Sequence, residues 1–218
     1  MESTKSGIQE RTKPLPEFIP DRIKRLRVFR GYPVPWFVPW LNHEPEFRCM
    51  TQEKMQLAIE QKRCWICGQK LGTFMTFVVG PMCTVNRINA EPPSHKDCAT
   101  FAVQACPFLT KPHMKRREND LPEGSGCSAG EMIMRNPGCM ALWTVLNYTT
   151  FKDRGGVLFR LAEPTSVQWW TEGKLATRDQ VIKAFESGFP ILLEKATQPE
   201  EVEMLQGMLG KATQFLPN

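Results

Sequence analysis

The sequence predicts an α+β protein, with an N-terminal metal-binding unit, its flanking strands and helix, and then a small antiparallel sheet with C-terminal helices. Three observations carry this expectation. Cysteines and a histidine cluster at ligand-like spacing between Cys64 and Cys98. Residues 140–171 hold three short β-rich runs with turn residues between them. Thr177 and Pro199 each open a stretch of helical periodicity.

The chain has 218 residues, 41% hydrophobic and 23% charged, the balance of a globular protein rather than a disordered one. No apolar run approaches the ~20 residues that span a bilayer. The first residues have no apolar core of the signal-peptide kind, so the expected compartment is the cytoplasm. A reducing compartment keeps thiols free, and the eight cysteines then point to metal or redox chemistry rather than a disulfide framework. The net charge of +5 is unevenly placed. Residues 1–117 carry 19 Lys+Arg against 10 Asp+Glu, and residues 118–218 carry 9 against 13. The basic half permits contact with nucleic acid.

In chain order, residues 1–20 are polar and proline-containing and predict a flexible arm. The next ten, Asp21 to Arg30, include five basic residues, among them Arg25 and Arg27, which can neutralise phosphates. Gly31 to Trp40 is dense in proline and aromatics, and is read as the apolar material that closes a small core. Residues 45–50 predict a short strand. Thr51 then caps a helix to about Arg63, with Glu53 in its first turn.

That helix delivers the chain into Cys64-Trp65-Ile66-Cys67-Gly68. Two thiolates from one tight turn are half of a tetrahedral site. Phe74 to Val79 reads as a strand, Gly80-Pro81 as a turn, and Cys83 to Ile88 as a return strand. Ser94 is the expected N-cap of a helix running from His95 to Ala105. His95 and Cys98 are three residues apart and share one face of that helix. Cys64, Cys67, His95 and Cys98 are therefore the candidate ligands of one structural Zn2+. Cys83 or Cys106 are rivals to His95 for the fourth position. A redox dithiol, an iron–sulfur cluster and plain core packing are the competing readings of the same residues. Cys49, Cys127 and Cys139 lack ligand spacing.

The order of knuckle, hairpin and helix, with the last two ligands in the helix's first turn, resembles a treble clef over about residues 62–106. That resemblance implies a zinc site with all four positions filled by protein. Treble clefs occur in several ribosomal proteins, in LIM and GATA-type fingers and in HNH nucleases. The chain as a whole also resembles uncharacterised bacterial and phage proteins, a likeness that brings no function with it.

The expected organisation is an arm (1–20), a basic zinc-binding domain (21–117), a linker or long loop (118–139) and an α+β C-terminal domain (140–218). The linker is rich in Gly, Ser, Asn and Pro. Strands are expected over Met140–Tyr148, Val157–Leu161 and Ser166–Trp170 as a meander. A helix opened by the capping box of Thr177 and Gln180 is expected to end near Gly188, and an amphipathic helix to follow Pro199.

The function expected from these features is a structural-zinc binding module whose partner is nucleic acid or another protein. Arg25, Arg27, Arg87, Lys96, Lys115, Arg116 and Arg117 are the candidate nucleic-acid contacts. The alternative is an HNH-like metal-dependent nuclease. Such an enzyme needs a histidine base on the hairpin, and the only histidines are His43, His95 and His113. No catalytic residue is assigned.

Overall fold

The computed structural model describes residues 14–112, 114, 136–153 and 156–218. The described part of the expected arm lies on the core, because Leu15 and Ile19 pack against the main apolar cluster. Pro20 leads into α1 (Asp21–Lys24), whose Ile23 is fully buried. Two hairpins of two-residue strands follow. β1 (Val28–Phe29) pairs with β2 (Tyr32–Pro33), and β3 (Trp40–Leu41) with β4 (Glu44–Pro45). Their turns, Arg30-Gly31 and Asn42-His43, have positive φ at both central residues, as a tight two-residue hairpin requires. Prolines 33, 35 and 39 cannot donate to a ladder, which keeps these hairpins short.

α2 (Gln52–Glu60) is capped as expected, with the Thr51 hydroxyl accepting from the Lys54 amide at 3.3 Å. β5 (Met75–Val79) is followed by α3 (Pro81–Asn86), β6 (Ile88–Asn89), α4 (Lys96–Ala105) and α5 (Pro107–Thr110). In the C-terminal half lie β7 (Met140–Val145), β8 (Tyr148–Asp153), β9 (Gly156–Leu161), β10 (Ser166–Thr171) and β11 (Lys174–Leu175). α6 (Arg178–Leu193) and α7 (Pro199–Ala212) close the chain.

The strands form two larger antiparallel sheets rather than one meander: β11-β10-β7-β5 and β6-β9-β8. Each contains one strand from before residue 118 and strands from after residue 139. The expected division into a 21–117 domain and a 140–218 domain therefore does not describe the core. β5 is the reason. Met75, Thr76, Phe77 and Val79 are all buried, and β7, buried along its whole length, lies beside them in register from Met75↔Val145 to Val79↔Ala141. A strand that is apolar on both faces needs cover on both, and one half of the chain cannot supply it. One cluster accordingly runs from Ile23 and Cys64 through Phe77 and Trp143 to Val181 and Ala212.

Three local expectations also change. The return strand expected over Cys83–Ile88 is the helix α3. Pro81 occupies its first turn, where a missing N–H is harmless, and Arg87 ends it in the left-handed region at φ 59. α3 packs chiefly on α6 and α7, and its Met82, Thr84 and Val85 are buried. Gly188 does not end α6, which runs on through Pro190 to Leu193. A Cβ at Gly188 would lie 3.2 Å from the Met82 side chain, so the glycine permits close helix packing instead. Finally, His95 and not Ser94 is the N-cap of α4.

Candidate metal centre

Residues 62–71 fold back on themselves as a knuckle. Arg63 bridges Lys70, the Cys64 amide donates to the Gln69 carbonyl at 2.8 Å, and the Leu71 amide donates to the Lys62 carbonyl at 2.8 Å. The turn closes through Gly68, whose φ is +73 and whose amide donates to the Cys64 carbonyl. Glycine is required here twice over. Its backbone is left-handed, and a Cβ would sit 2.6 Å from Cγ of Trp36.

The proline- and aromatic-rich stretch packs directly on this knuckle. The Trp36 amide donates to the Ile66 carbonyl at 2.7 Å, and Phe37 stacks on Trp65 with ring centroids 4.7 Å apart. Trp65 is 2% exposed and shares a cluster with Met50 and Ala58. Trp65 is core, and the half-buried Trp36 and Phe37 pack against it, as expected.

The second pair of donors is positioned by β5. Thr76 and Ser94 exchange both amide–carbonyl hydrogen bonds at 2.8 Å, and the Trp65 amide donates to the Pro93 carbonyl. With its backbone used in this bridge, Ser94 hands the first turn of α4 to His95. His95 and Cys98 thereby face the knuckle.

The result is one cluster: Cys64 Sγ, Cys67 Sγ, Cys98 Sγ and a His95 ring nitrogen all lie within 4.8 Å of one another. Zinc bound at about 2.3 Å by tetrahedral thiolates places neighbouring sulfurs about 3.8 Å apart, so the four donors are close to the separation an ion requires. Cys64, Cys67 and Cys98 are buried, and His95 is half-buried. The Cys67 and His95 amides approach Cys64 Sγ at 3.4 Å each, the usual way backbone donors support a thiolate. His95 Nδ1 lies 3.5 Å from Cys67 Sγ, and Nε2 lies 3.0 Å from the Lys70 carbonyl. A carbonyl only accepts, so Nε2 carries the proton and Nδ1 is the nitrogen turned to the thiols.

The electrostatics fit a cation site. Burial works against a Cys64 thiolate, but the side chains of Cys67, Cys98 and His95 outweigh it and hold the group below the ordinary thiol range. Hydrogen bonding to Cys64 and Cys67, with burial added, raises Cys98. Burial disfavours a charged His95 ring, yet hydrogen bonds and charge from Cys64 and Cys67 raise it to about 10.

The rival ligands lie elsewhere. Cys83 is on α3, where burial pushes its thiol up to about 11, and Cys106 precedes α5 with its thiol likewise raised by burial. Neither joins the cluster. Cys49 and Cys139 are buried and free, behaving as small apolar side chains. Cys127 and His113 lie outside the described residues, as do Lys115, Arg116 and Arg117.

Among the other basic candidates, Arg25, Arg27 and Lys96 are exposed. The Arg27 guanidinium lies 3.6 Å over the Trp40 ring, which itself meets Phe29 edge-on. Arg30, from the same basic run, lies over Phe29 at 4.7 Å and pairs with Glu44 at 3.6 Å. Arg87 is employed differently. It donates to the Ala162 carbonyl and to Glu163, and its guanidinium lies 4.4 Å over Trp143. Its side chain is only 16% exposed, so it joins two parts of the fold rather than facing a partner.

No helix among the described residues is long and apolar enough to cross a membrane. No family model matches the chain, and neither the curated proteins nor the solved structures compared with it include a match.

Proposed function

We propose that the protein is a structural-zinc module that displays a basic surface to nucleic acid. The observation that carries the zinc assignment is the convergence of three thiols and one imidazole nitrogen within 4.8 Å. Sulfur-rich tetrahedral donor sets favour zinc over hard cations, and four protein donors leave no position for a catalytic water. The metal's work is then mechanical. It ties the knuckle, and with it the aromatic cluster of Trp36, Phe37 and Trp65, to the first turn of α4.

We read the arrangement as a modified treble-clef order. The knuckle leads into β5, and the second arm of the hairpin shrinks to the single bridge of Ser94 to Thr76, from which α4 departs. Residues 80–93, with α3 and β6, are inserted between the two arms. The contacts proposed for nucleic acid are Arg25, Arg27 and Lys96 in the described residues, with Lys115, Arg116 and Arg117 proposed from the charge of the sequence alone. Support comes from the excess of basic residues in this half of the chain and from the stacking of Arg27 on Trp40, which holds a guanidinium in a fixed pose.

Two measurements test this. Elemental analysis of protein purified without a metal tag is expected to give one zinc per chain; iron or no metal refutes the site. Binding to DNA and RNA is expected to weaken steeply with salt and to fall in an Arg25→Glu/Arg27→Glu variant, with Arg87→Ala as a fold-directed control. If the protein binds no nucleic acid at low salt, the module is a protein adaptor instead. Phosphodiester cleavage with magnesium or manganese would restore the nuclease alternative.

A further inference from the structure

A concave groove of about 620 Å³ opens beside the metal centre. Its walls come from three separate segments: the N-terminal stretch with Phe18 and Arg22, the loop after the knuckle with Phe74, and the first turns of α4 with His95 and Lys96. The volume falls within the ~300–1,000 Å³ span of ligand-binding clefts. Two properties set this groove apart from ordinary surface.

The first is aromatic exposure. Phe18 is 74% and Phe74 59% exposed, the two largest exposures of aromatic rings among the described residues. Neither ring belongs to an apolar core cluster, so their placement at the groove is not explained by packing. The second is charge. Lys96 lines the groove, is exposed and makes no ion pair among the described residues. Arg22 is held 3.4 Å from Asp97, so the one acid lining the groove is already matched. The groove thus presents two open rings and one lysine without an acidic partner among the described residues.

From this we infer that the groove takes single-stranded nucleic acid, with bases stacking on Phe18 and Phe74 and the phosphate backbone facing Lys96. This rests on the nucleic-acid reading above and names the strand state and the face. Exposed rings in a basic channel suit unpaired bases, which offer a π-face regardless of sequence. A duplex keeps those faces stacked internally and gains nothing from the two phenylalanines. An acidic peptide would meet the same lysine but leave the rings exposed.

The metal links this groove to the fold. His95 is both a ligand and part of the groove wall, and Lys96 and Asp97 follow it on the same helical turn. The position of α4 relative to the Phe74 loop is therefore set where the ligands converge.

The test uses the full chain with its metal and a fluorescein-labelled ten-residue oligothymidine, alongside a hairpin duplex and an oligoglutamate peptide. Phe18→Ala and Phe74→Ala are each expected to weaken oligothymidine binding about tenfold and leave duplex binding unchanged. Both side chains are exposed, and unchanged zinc content and circular dichroism verify the fold. Irradiating wild-type protein with a 5-iodouracil oligonucleotide is expected to give crosslinks on the peptides containing Phe18 or Phe74. Nucleic-acid binding that survives both substitutions but is lost in Arg25→Glu/Arg27→Glu overturns the groove and keeps the broader reading. Equal competition by oligoglutamate assigns the groove to a peptide and overturns the inference. Binding to none of the probes overturns both readings.

Discussion

The Lys70 carbonyl holds His95 by Nε2 at 3.0 Å, leaving Nδ1 to face Cys67 Sγ at 3.5 Å. One backbone acceptor thereby fixes both the tautomer and the ring plane of the histidine in the candidate metal cluster. The acceptor belongs to the knuckle itself, so the first pair of ligands orients a member of the second.

Loss of a ligand is expected to act on folding before anything else. Cys98→Ser or His95→Ala should lower zinc content well below one per chain and make the protein chelator-sensitive at low concentrations of chelator. Metal-coupled folding of small zinc units has an apparent magnitude of ~10–16 kcal/mol, so even partial loss will be visible in thermal melts. Cys83→Ser and Cys106→Ser should leave zinc content unchanged. Elemental analysis of the four variants decides between ligand sets.

Metal uptake should release protons. In the metal-free fold, His95 is raised to about 10 by the neighbouring thiol groups, so at neutral pH a metal ion displaces its proton. Apparent affinity therefore rises with pH through the neutral range. The sign reverses for the metal-free protein. A raised histidine contributes stability fully below its unfolded value near 6.5, and that contribution disappears as pH climbs through about 10. Calorimetric zinc titrations in buffers of different ionisation enthalpy measure the proton count; a count of zero between pH 6 and 8 contradicts this account.

Gly68→Ala should be among the most damaging single-methyl changes in the protein. The left-handed backbone costs ~1–2 kcal/mol for a residue with a Cβ, and overpacking a closed site adds ~1–3 kcal/mol. The nearest atoms belong to the Trp36 ring, which is anchored by its own amide bond to Ile66. Gly72→Ala, with nothing within 4 Å of the added carbon, should be close to neutral. Urea denaturation of the pair isolates the effect.

Across the junction of β5 and β7, Thr76 and Thr144 share a buried hydroxyl–hydroxyl bond of 3.0 Å. Thr76→Val strands the Thr144 hydroxyl and should cost about 1–3 kcal/mol. Adding Thr144→Val should recover part of that loss, since both polar partners are then gone. A double-mutant cycle with no coupling would show that the bond contributes nothing.

A fragment ending at residue 117 should not behave as a folded domain. It would expose Phe77 and Val79 along the edge of β5 where β7 belongs, both at most 1% exposed in the whole chain. Light scattering and proteolysis of the zinc-loaded fragment are expected to show aggregation or rapid cleavage. A soluble, protease-resistant monomer would restore the two-domain organisation.

What could be read from the residues alone was whatever depends on near neighbours. Cys64 and Cys67 share one turn, and His95 and Cys98 one helical face, so their spacing already encodes geometry. The Thr51 cap and the Thr177–Gln180 capping box likewise act within three residues, and both helices begin where expected. The strand–helix error at Cys83–Ile88 marks the limit of such reading. A short run with buried Met82, Thr84 and Val85 satisfies either element, and α6 and α7, about a hundred residues later in the chain, settle it as a helix.

The sequence by itself picked out the four residues that converge as a candidate metal cluster, the basic character of the first half and most helix starts, because each rests on local spacing, capping or charge. The tertiary structure alone decided that His95 caps α4, that Arg87 is committed to Trp143 and Glu163, and that both halves share one core. Those outcomes turn on Ser94 meeting Thr76, and on Thr76 meeting Thr144 from 68 residues away. Pairings of that range are selected by mutual burial of apolar faces, and no local pattern in either strand specifies which partner will supply the cover.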